Sequence, residues 1–292
     1  QTQDDTLFIK PGITAYNLRV SVSTHIGKVR GNHEDNFYLE GLRLNEIFRN
    51  DFSATYTISD ADGMSFAVFD GMGGAAYGEI ASEIAVQTMK KYERRLKNAE
   101  GMRAVDQIVT EFVTEANNSI CDMLREKNCL SGGTTFAMLY FIDGLAKLYY
   151  LGDSRIYMQD EEDLICLTRD HTLANQKLDA GIYTEAQAKK SADQHRLTLY
   201  VGVDKNGLGL NADSRPPVAL QPGRKFLLCT DGLVDMCSEQ EIQDILSQDY
   251  FNEAAVLVQT AVNYGGIDNV TCIVLEVIPI EEPAELESDP ML

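Results

Sequence analysis

The chain contains the run Phe66-Ala67-Val68-Phe69-Asp70-Gly71-Met72-Gly73-Gly74. Its four consecutive apolar residues predict a buried strand, and the glycines that follow allow the backbone to turn sharply. The strand therefore delivers the carboxylate of Asp70 to its end. Alone, an Asp-Gly pair after a strand is typical of an ordinary turn, so its meaning depends on whether the pattern recurs.

Related patterns occur elsewhere in the chain. Asp231 follows the apolar run 226–229, Asp153 follows a looser run at 148–151, and Asp268 precedes the run 270–275. Because the end of one strand lies beside the start of its neighbour in an antiparallel sheet, these carboxylates can share one rim. Crowded carboxylates repel one another unless a cation lies among them. The sequence therefore predicts a metal site.

Charge and composition narrow the class of protein. The chain has 292 residues, 44% of them hydrophobic, and a net charge of −20 from 25 basic and 45 acidic residues. This charge repels phosphate backbones and anionic lipid, so neither nucleic acid nor a membrane is expected as a partner. No stretch approaches the ~20 apolar residues that cross a bilayer, and the polar start lacks a signal-peptide pattern. A cytoplasmic location is the resulting expectation.

The hydrophobic spacing predicts an α+β fold with antiparallel sheets. Strands are predicted at 15–22, 37–39, 134–142, 145–151, 155–158, 225–229 and 269–277, in addition to the strand that ends at Asp70. Helices are predicted at 80–96, 102–125, 172–180, 184–191, 238–247 and 252–263. The Asp143-Gly144 dipeptide predicts a hairpin, and residues 41–62 are interpreted as an inserted hairpin or loop.

The same reading divides the chain into three parts. Residues 1–13 are predicted to be an N-terminal arm, 14–279 one domain, and 280–292 an acidic tail exposed to solvent. Within the domain, residues 169–211 form a long polar excursion near the motif strands. Such a segment is typical of a mobile flap over a functional site.

The residue types favour phosphoryl hydrolysis. Oxygen ligands without paired His or Cys favour Mg²⁺ or Mn²⁺ over Zn²⁺, and Asp70 could bridge two such ions, with Asp231 and Asp268 completing one of them. Two neighbouring ions lower the pKa of a shared water and hold it facing an electrophile. Arg30 can grip two phosphate oxygens, and Glu34 and Asp35 can orient the attacking water.

Eight motifs resemble those of the metal-dependent type 2C serine/threonine protein phosphatases, in order and spacing, over about residues 15–277. They are Arg30-Gly31-Asn32-His33-Glu34-Asp35, Phe69-Asp70-Gly71-Met72-Gly73-Gly74, Gly78-Glu79-Ile80-Ala81-Ser82, Ser131-Gly132-Gly133-Thr134-Thr135, Gly152-Asp153-Ser154-Arg155, Leu167-Thr168-Arg169-Asp170-His171-Thr172, Cys229-Thr230-Asp231-Gly232-Leu233 and Gly266-Ile267-Asp268-Asn269-Val270-Thr271. One such motif is weak support, whereas eight in order are specific.

The resemblance implies two packed antiparallel sheets flanked by helix pairs, an α-β-β-α sandwich. It also implies hydrolysis of phosphoserine and phosphothreonine in proteins through a metal-activated water at a centre of two Mn²⁺ or Mg²⁺ ions. Asp70 would bridge both ions, the Gly71 carbonyl would bind one, and Asp231 with Asp268 would bind the other. Asp153, together with Asp231, matches the site of a third, weaker metal in bacterial-type members.

The resemblance further implies phosphorylated proteins as substrates, a cognate Ser/Thr kinase and a role in signalling. In one position the chain departs from many eukaryotic members, which have a histidine proposed as the general acid where this chain has Met72. Met72 cannot donate a proton, so a metal-bound water or another group would have to protonate the leaving alkoxide. The four histidines of the chain are predicted to have surface or supporting roles.

Two other functions compete with this prediction. One is a catalytically silent protein on the same fold that binds phosphoproteins or senses a small molecule. The presence of every expected carboxylate and of Arg30 argues against it. The other is a two-metal phosphodiesterase or nuclease, and the net charge of −20 argues against that.

Overall fold

A computed structural model describes residues 12–39, 51–73, 77–129, 131–160, 163–204, 206–207 and 209–280. Over these residues the strands are β1 (Tyr16–His25), β2 (Asp35–Leu39), β3 (Phe52–Ser59), β4 (Ser65–Met72), β5 (Gly133–Thr134), β6 (Phe136–Ile142), β7 (Leu145–Leu151), β8 (Arg155–Asp160), β9 (Asp163–Cys166), β10 (Asp213–Ser214), β11 (Val218–Ala219), β12 (Lys225–Cys229) and β13 (Val270–Pro279). The helices are α1 (Tyr77–Lys97), α2 (Met102–Glu126), α3 (Leu173–Asp179), α4 (Glu185–Ala188), α5 (Asp231–Val234), α6 (Glu239–Leu246), α7 (Glu253–Asn263) and a 3₁₀ helix at Ala192–His195.

The strands form two antiparallel sheets. The first sheet has the order β3-β1-β13-β12-β8-β9, and the second has the order β10-β7-β6-β4-β2, with β11 paired to β7 and β5 to β4. The hairpin predicted at Asp143-Gly144 is confirmed between β6 and β7. Both residues have positive φ, 50° and 72°, as a tight two-residue hairpin turn requires.

Three hydrophobic layers hold the sheets and helices together. The inner faces of the two sheets pack on each other through fully buried side chains such as Val20, Phe66, Phe141 and Ile273. The outer face of the second sheet packs on α1 and α2. The outer face of the first sheet packs on α5, α6 and α7. The predicted α-β-β-α sandwich is therefore confirmed.

Part of the segment 41–62, which is predicted as an inserted hairpin or loop, is a strand of the first sheet. Residues 52–59 form the edge strand β3, which pairs with β1 from Asn17 opposite Ser59 to Thr24 opposite Phe52. The alternation of Phe52, Ala54, Tyr56 and Ile58 toward the core lasts only for this strand, so a window over the whole segment shows no period. Residues 40–50 lie outside the described residues.

The predicted N-terminal arm and acidic tail lie almost entirely outside the described residues. Residues 1–11 of the arm and 281–292 of the tail lie outside the described residues. Ile13, at the end of the arm, donates its backbone N–H to the carbonyl of Leu220 at 3.1 Å. Within the described part of the chain, none of the helices combines the length and the apolar character needed to span a bilayer.

The first turn of α1 approaches β4 unusually closely. A Cβ atom placed on Gly78 would lie 2.7 Å from the carbonyl carbon of Gly71 and 2.8 Å from Cδ of Glu34. One placed on Gly71 would collide with the carbonyl oxygen of Gly78. These two glycines therefore let a helix, a strand and the segment before β2 meet backbone to backbone at the end of the strand that carries Asp70.

We predict that Gly78→Ala destabilises the protein, although alanine ordinarily stabilises a helix relative to glycine by about 0.5–1 kcal/mol. The added methyl must push α1 away from β4, because the nearest atoms are backbone. The measurement is the midpoint of urea unfolding. Gly31→Ala is the matched control, since a Cβ there meets nothing within 4 Å. Equal midpoints for both variants would contradict the prediction.

Candidate functional site

Five aspartates from both sheets meet at one edge of the sandwich. Asp70 lies near the end of β4 and Asp35 begins β2, and the two are opposite each other in the strand pairing. Asp153 lies in the turn between β7 and β8, Asp231 begins α5 directly after β12, and Asp268 shortly precedes β13. The shared rim predicted from the strand ends is thus present, and it spans the seam between the sheets.

A cavity of about 660 Å³ opens at this edge. Its lining includes the predicted site residues Arg30, Glu34, Asp70, Gly71, Asp153, Asp231 and Asp268. Met72 lies in the same wall, and His195 and Leu197 of the predicted flap complete another part of it. Asp35 is buried and does not belong to the lining. It therefore lies behind the wall of the cavity.

The backbone of Asp70 is held in place by Thr135. The Asp70 N–H donates to Thr135 Oγ1 at 2.8 Å, and the Asp70 carbonyl accepts from the Thr135 N–H at 2.8 Å. The Thr135 hydroxyl is also 2.7 Å from that of Ser154, the residue after Asp153. The strand end that carries Asp70 is consequently tied to the turn that carries Asp153.

Burial and neighbouring negative charges raise the pKa values of the carboxylates at this site. Burial, followed by the charges of Asp35, Asp231 and Asp153, raises the pKa of Asp70 well above its usual range. Burial and the charge of Asp231 do the same to the pKa of Asp153. Burial is also the main cause that raises the pKa of Asp231 and of Asp35. Each group is therefore hard to ionise beside the others unless positive charge is present.

The donor set fits a hard divalent cation. Oδ1 of Asp231 and Oδ1 of Asp35 are buried, and neither has a hydrogen-bond partner among the described residues. Buried acceptors without a partner are rare and costly in folded proteins. The available ligands are carboxylate and backbone oxygens, which suit Mg²⁺ or Mn²⁺. The residues present thus match the kind of metal centre expected from the sequence.

The structure also pairs two predicted site residues with each other. Arg30 Nη2 donates to Asp268 Oδ2 at 2.5 Å, and this contact is the main cause that raises the pKa of Arg30. The sequence prediction had assigned the first to phosphate and the second to metal. Among the described residues, Asp268 does not join a group of three possible ligands within 4.8 Å, whereas His195, Asp231 and Asp235 do.

Several residues that support the site were not predicted as such. The Asn269 side chain accepts from the Glu34 N–H at 2.8 Å and donates to the carbonyls of Ile26 at 2.8 Å and Asn32 at 3.0 Å. It thereby clamps the loop that carries Arg30. Thr230 and Thr271 both donate to Asp35 Oδ2. Asn269, Thr230 and Thr271 all lie inside the motifs quoted above, and this is the feature by which the sequence could have indicated them. Their long-range partners leave no pattern in the sequence.

A family model described as protein phosphatase 2C matches residues 43–262 of the chain. The chain belongs to the protein phosphatase 2C family. It is 28% identical over 272 residues to protein phosphatase PhpP of Streptococcus pneumoniae, a match that covers 92% of this chain and 100% of PhpP. It is 28% identical over 262 residues to the serine/threonine phosphatase stp of Listeria welshimeri, covering 89% of this chain and 96% of that protein.

Solved phosphatase structures share this 2C fold. The Mycobacterium tuberculosis serine/threonine phosphatase PstP/Ppp superposes with a TM-score of 0.73 at 24% identity, over 90% of this chain and 100% of that one. The catalytic domain of PstP in complex with two manganese ions gives a TM-score of 0.69 at 26% identity, over 90% of this chain and 99% of that one. The resemblance recognised in the motifs is therefore confirmed at the level of the family and of the fold.

We predict that Asn269→Ala lowers the free energy of unfolding by about 1–3 kcal/mol, because a buried amide then leaves its partners unsatisfied. The Arg30 loop should loosen as well. Urea denaturation measures the change. Asn263→Ala serves as control, because this residue lies at the exposed end of α7 and, within the described part of the chain, its side chain bonds to Gln259 alone. A loss no larger than that of the control would refute the clamp.

Proposed function

We propose that this protein hydrolyses phosphoserine and phosphothreonine in other proteins, in a reaction that requires Mn²⁺ or Mg²⁺. The observation that carries the proposal is the convergence of Asp70, Asp153, Asp231 and Asp268 with Arg30 around one cavity. Membership of the 2C family supports it, as do relatives named as serine/threonine phosphatases and a PstP structure with two manganese ions.

Asp70, the Gly71 carbonyl, Asp231 and Asp268 would hold two ions, and Asp153 with Asp231 would hold a third. When bound, such ions lower the pKa of water and neutralise charge on the phosphoryl group. The buried Oδ1 of Asp231, which has no partner among the described residues, is a ligand of the type this role needs. Mn²⁺ and Mg²⁺ both prefer oxygen ligands, so either ion suits these residues.

Besides the proposed ions, the Arg30 side chain places a positive charge at the cavity. This side chain is half-exposed at the cavity, and its guanidinium can bind two oxygens of a phosphate. Because Arg30 now donates to Asp268, a phosphate ester would replace Asp268 as its partner. The same exchange would release the carboxylate of Asp268 toward the cavity. Binding of the phosphate and readiness of this carboxylate would thus be coupled.

Glu34 and Asp35 would orient the attacking water. Glu34 lines the cavity and its backbone is fixed by Asn269, while Asp35 lies behind the wall against Asp70. Met72 lies in the lining, but its thioether carries no proton, so the leaving oxygen must be protonated by another group. A cytoplasmic location and a cognate Ser/Thr kinase stay predictions from the sequence.

The flap, residues 169–211, would select among protein substrates. His195 and Leu197 reach the cavity wall, where they could contact residues that flank a phosphoserine. Inside the flap, the largely buried carboxylate of Asp193 binds Lys177 at 2.5 Å, the Tyr183 hydroxyl at 3.0 Å and Arg196 at 3.2 Å. This one side chain therefore fixes the 3₁₀ helix that carries His195 against α3.

We predict that Asp231→Asn abolishes Mn²⁺-dependent hydrolysis of a phosphothreonine peptide and leaves the fold intact. The reason is that Asp231 is expected to contact both a core ion and the third one. The measurement is turnover with and without Mn²⁺, with circular dichroism as the check of folding. Asp163→Asn, at an exposed position on β9, is the control. Wild-type turnover by Asp231→Asn at saturating Mn²⁺ would overturn the metal assignment.

We also predict that Asp193→Asn lowers kcat/KM at least several-fold for a phosphoprotein but leaves an aryl phosphate unaffected, because only the larger substrate reaches the flap. Asp179→Asn is the control in the same segment, since its ion pair with Arg169 is exposed and such pairs contribute little. Equal losses on both substrates would mean that the flap supports the metal site instead.

A further inference from the structure

A row of buried polar side chains runs behind the carboxylates and away from the cavity. Nε2 of His33 lies 2.9 Å from Thr24 Oγ1, which lies 2.7 Å from Thr271 Oγ1. Thr271 Oγ1 in turn lies 2.7 Å from Asp35 Oδ2. We call these four residues the His33 chain. All are buried, with exposed fractions of 6% for His33, 3% for Thr24, 0% for Thr271 and 7% for Asp35.

When Asp35 is ionised, the hydrogens available to each group fix which one donates in every hydrogen bond of the His33 chain. A carboxylate can only accept hydrogen bonds, so Thr271 must donate its single hydroxyl hydrogen to Asp35. Thr24 must then donate to Thr271, and its own oxygen is left to accept from His33. His33 therefore carries its hydrogen on Nε2. Nδ1 becomes the bare nitrogen, in agreement with its lack of a partner among the described residues.

A neutral imidazole is what the surroundings favour. Burial lowers the pKa of His33 to about 4, so the ring carries no charge near neutral pH. A charged ring would also need an acceptor at Nδ1, where the described residues offer none. The His33 chain consequently has a donor, the Nε2–H of His33, at one end and an acceptor, the Asp35 carboxylate, at the other.

The His33 chain acts on the site through the two carboxylate oxygens of Asp35. Oδ2 accepts from Thr271 and, at 2.8 Å, from Thr230. Because two hydroxyls hold Oδ2, Oδ1 is the oxygen without a partner among the described residues. The Asp35 carboxyl interacts electrostatically with Asp70, its strand partner, and with Asp231. If Thr24 no longer donates to Thr271, the hydroxyl of Thr271 loses the contact that sets its direction.

We propose that His33 is a positioning residue for the phosphatase reaction, acting through Thr24 and Thr271 to keep Oδ1 of Asp35 directed at the metal-binding carboxylates. The inference rests on the proposed function for its catalytic consequence, but its geometry stands independently. A residue 6% exposed, with no atom in the cavity lining, thus tunes the centre from behind. His33 touches neither substrate nor ion.

The first test is nuclear magnetic resonance of ¹⁵N-labelled histidines in the full chain with saturating Mg²⁺, which is diamagnetic. His33→Gln assigns the His33 signals by their disappearance. We expect a neutral ring with hydrogen on Nε2 and a bare Nδ1 at neutral pH. A neutral ring with hydrogen on Nδ1, or a protonated ring, would overturn the proposal whether or not the protein is a phosphatase.

The second test compares Thr24→Val, which keeps the shape but removes the hydroxyl, with Thr24→Ser, which keeps the hydroxyl. We expect Thr24→Val to lower kcat on an aryl phosphate, with KM unchanged, by about tenfold, the lower end of what loss of a partner behind a metal ligand costs. Thr24→Ser should stay near wild type. Equal kcat for the two variants would overturn the proposal, since a purely structural role would not distinguish them.

A binding measurement separates failure of this inference from failure of the proposed function. Calorimetric titration with Mn²⁺ alone should show weaker binding by Thr24→Val than by Thr24→Ser, even if no phosphate ester is turned over. Equal Mn²⁺ affinities together with equal kcat would refute the chain. Should Thr24→Val fail to fold, His33→Gln, which keeps a donor, replaces Thr24→Ser, and His33→Leu, which has none, replaces Thr24→Val.

Discussion

Repulsion among carboxylates that are held away from water is the constraint around which this edge of the molecule is built. Burial raises the pKa of Asp70, Asp153 and Asp231, and neighbouring carboxylates raise it further, Asp231 for the first two and Asp235 for Asp231 itself. The packed sheets and helices around these residues hold them together against this repulsion. A buried oxygen without a partner among the described residues, such as Oδ1 of Asp231, suits the proposed cation, and the electrostatic cost in the free protein would then become affinity for that ion.

The polar residues around the cluster divide the work of holding it. Threonine hydroxyls hold Asp35 from behind, and the Asn269 amide fixes the loop in front. Arg30 differs from these buried groups, because its side chain is half-exposed where it pairs with Asp268. The buried contacts thus fix the positions of the site carboxylates, and in the proposed function the half-exposed pair of Arg30 and Asp268 would link substrate binding to one of them.

The sequence predicted an α+β fold with antiparallel sheets, the main helices and the aspartate rim because each leaves a local signal, a hydrophobic period or a strand that ends in Asp. The packing of the sheets into a sandwich was predicted only through the resemblance of the motifs to the phosphatase family. The strand β3 was not predicted, since an edge strand with one exposed face has a short and weak alternation. The pairing of Arg30 with Asp268 and the clamp of Asn269 were also missed. Their partners lie more than 200 residues apart in the chain, and no local pattern encodes such a contact.

The position of the cavity on the seam between the sheets has a mechanical consequence. Asp70 comes from one sheet, whereas Asp231 and Asp268 come from the ends of strands in the other. A cation shared by these carboxylates would therefore cross-link two layers that are otherwise joined by apolar packing and by the hydrogen bonds of Thr230 and Thr271 to Asp35. Occupancy of the centre and cohesion of the sandwich must then rise and fall together, and slippage of one sheet over the other would weaken the grip on the ion before the core opens.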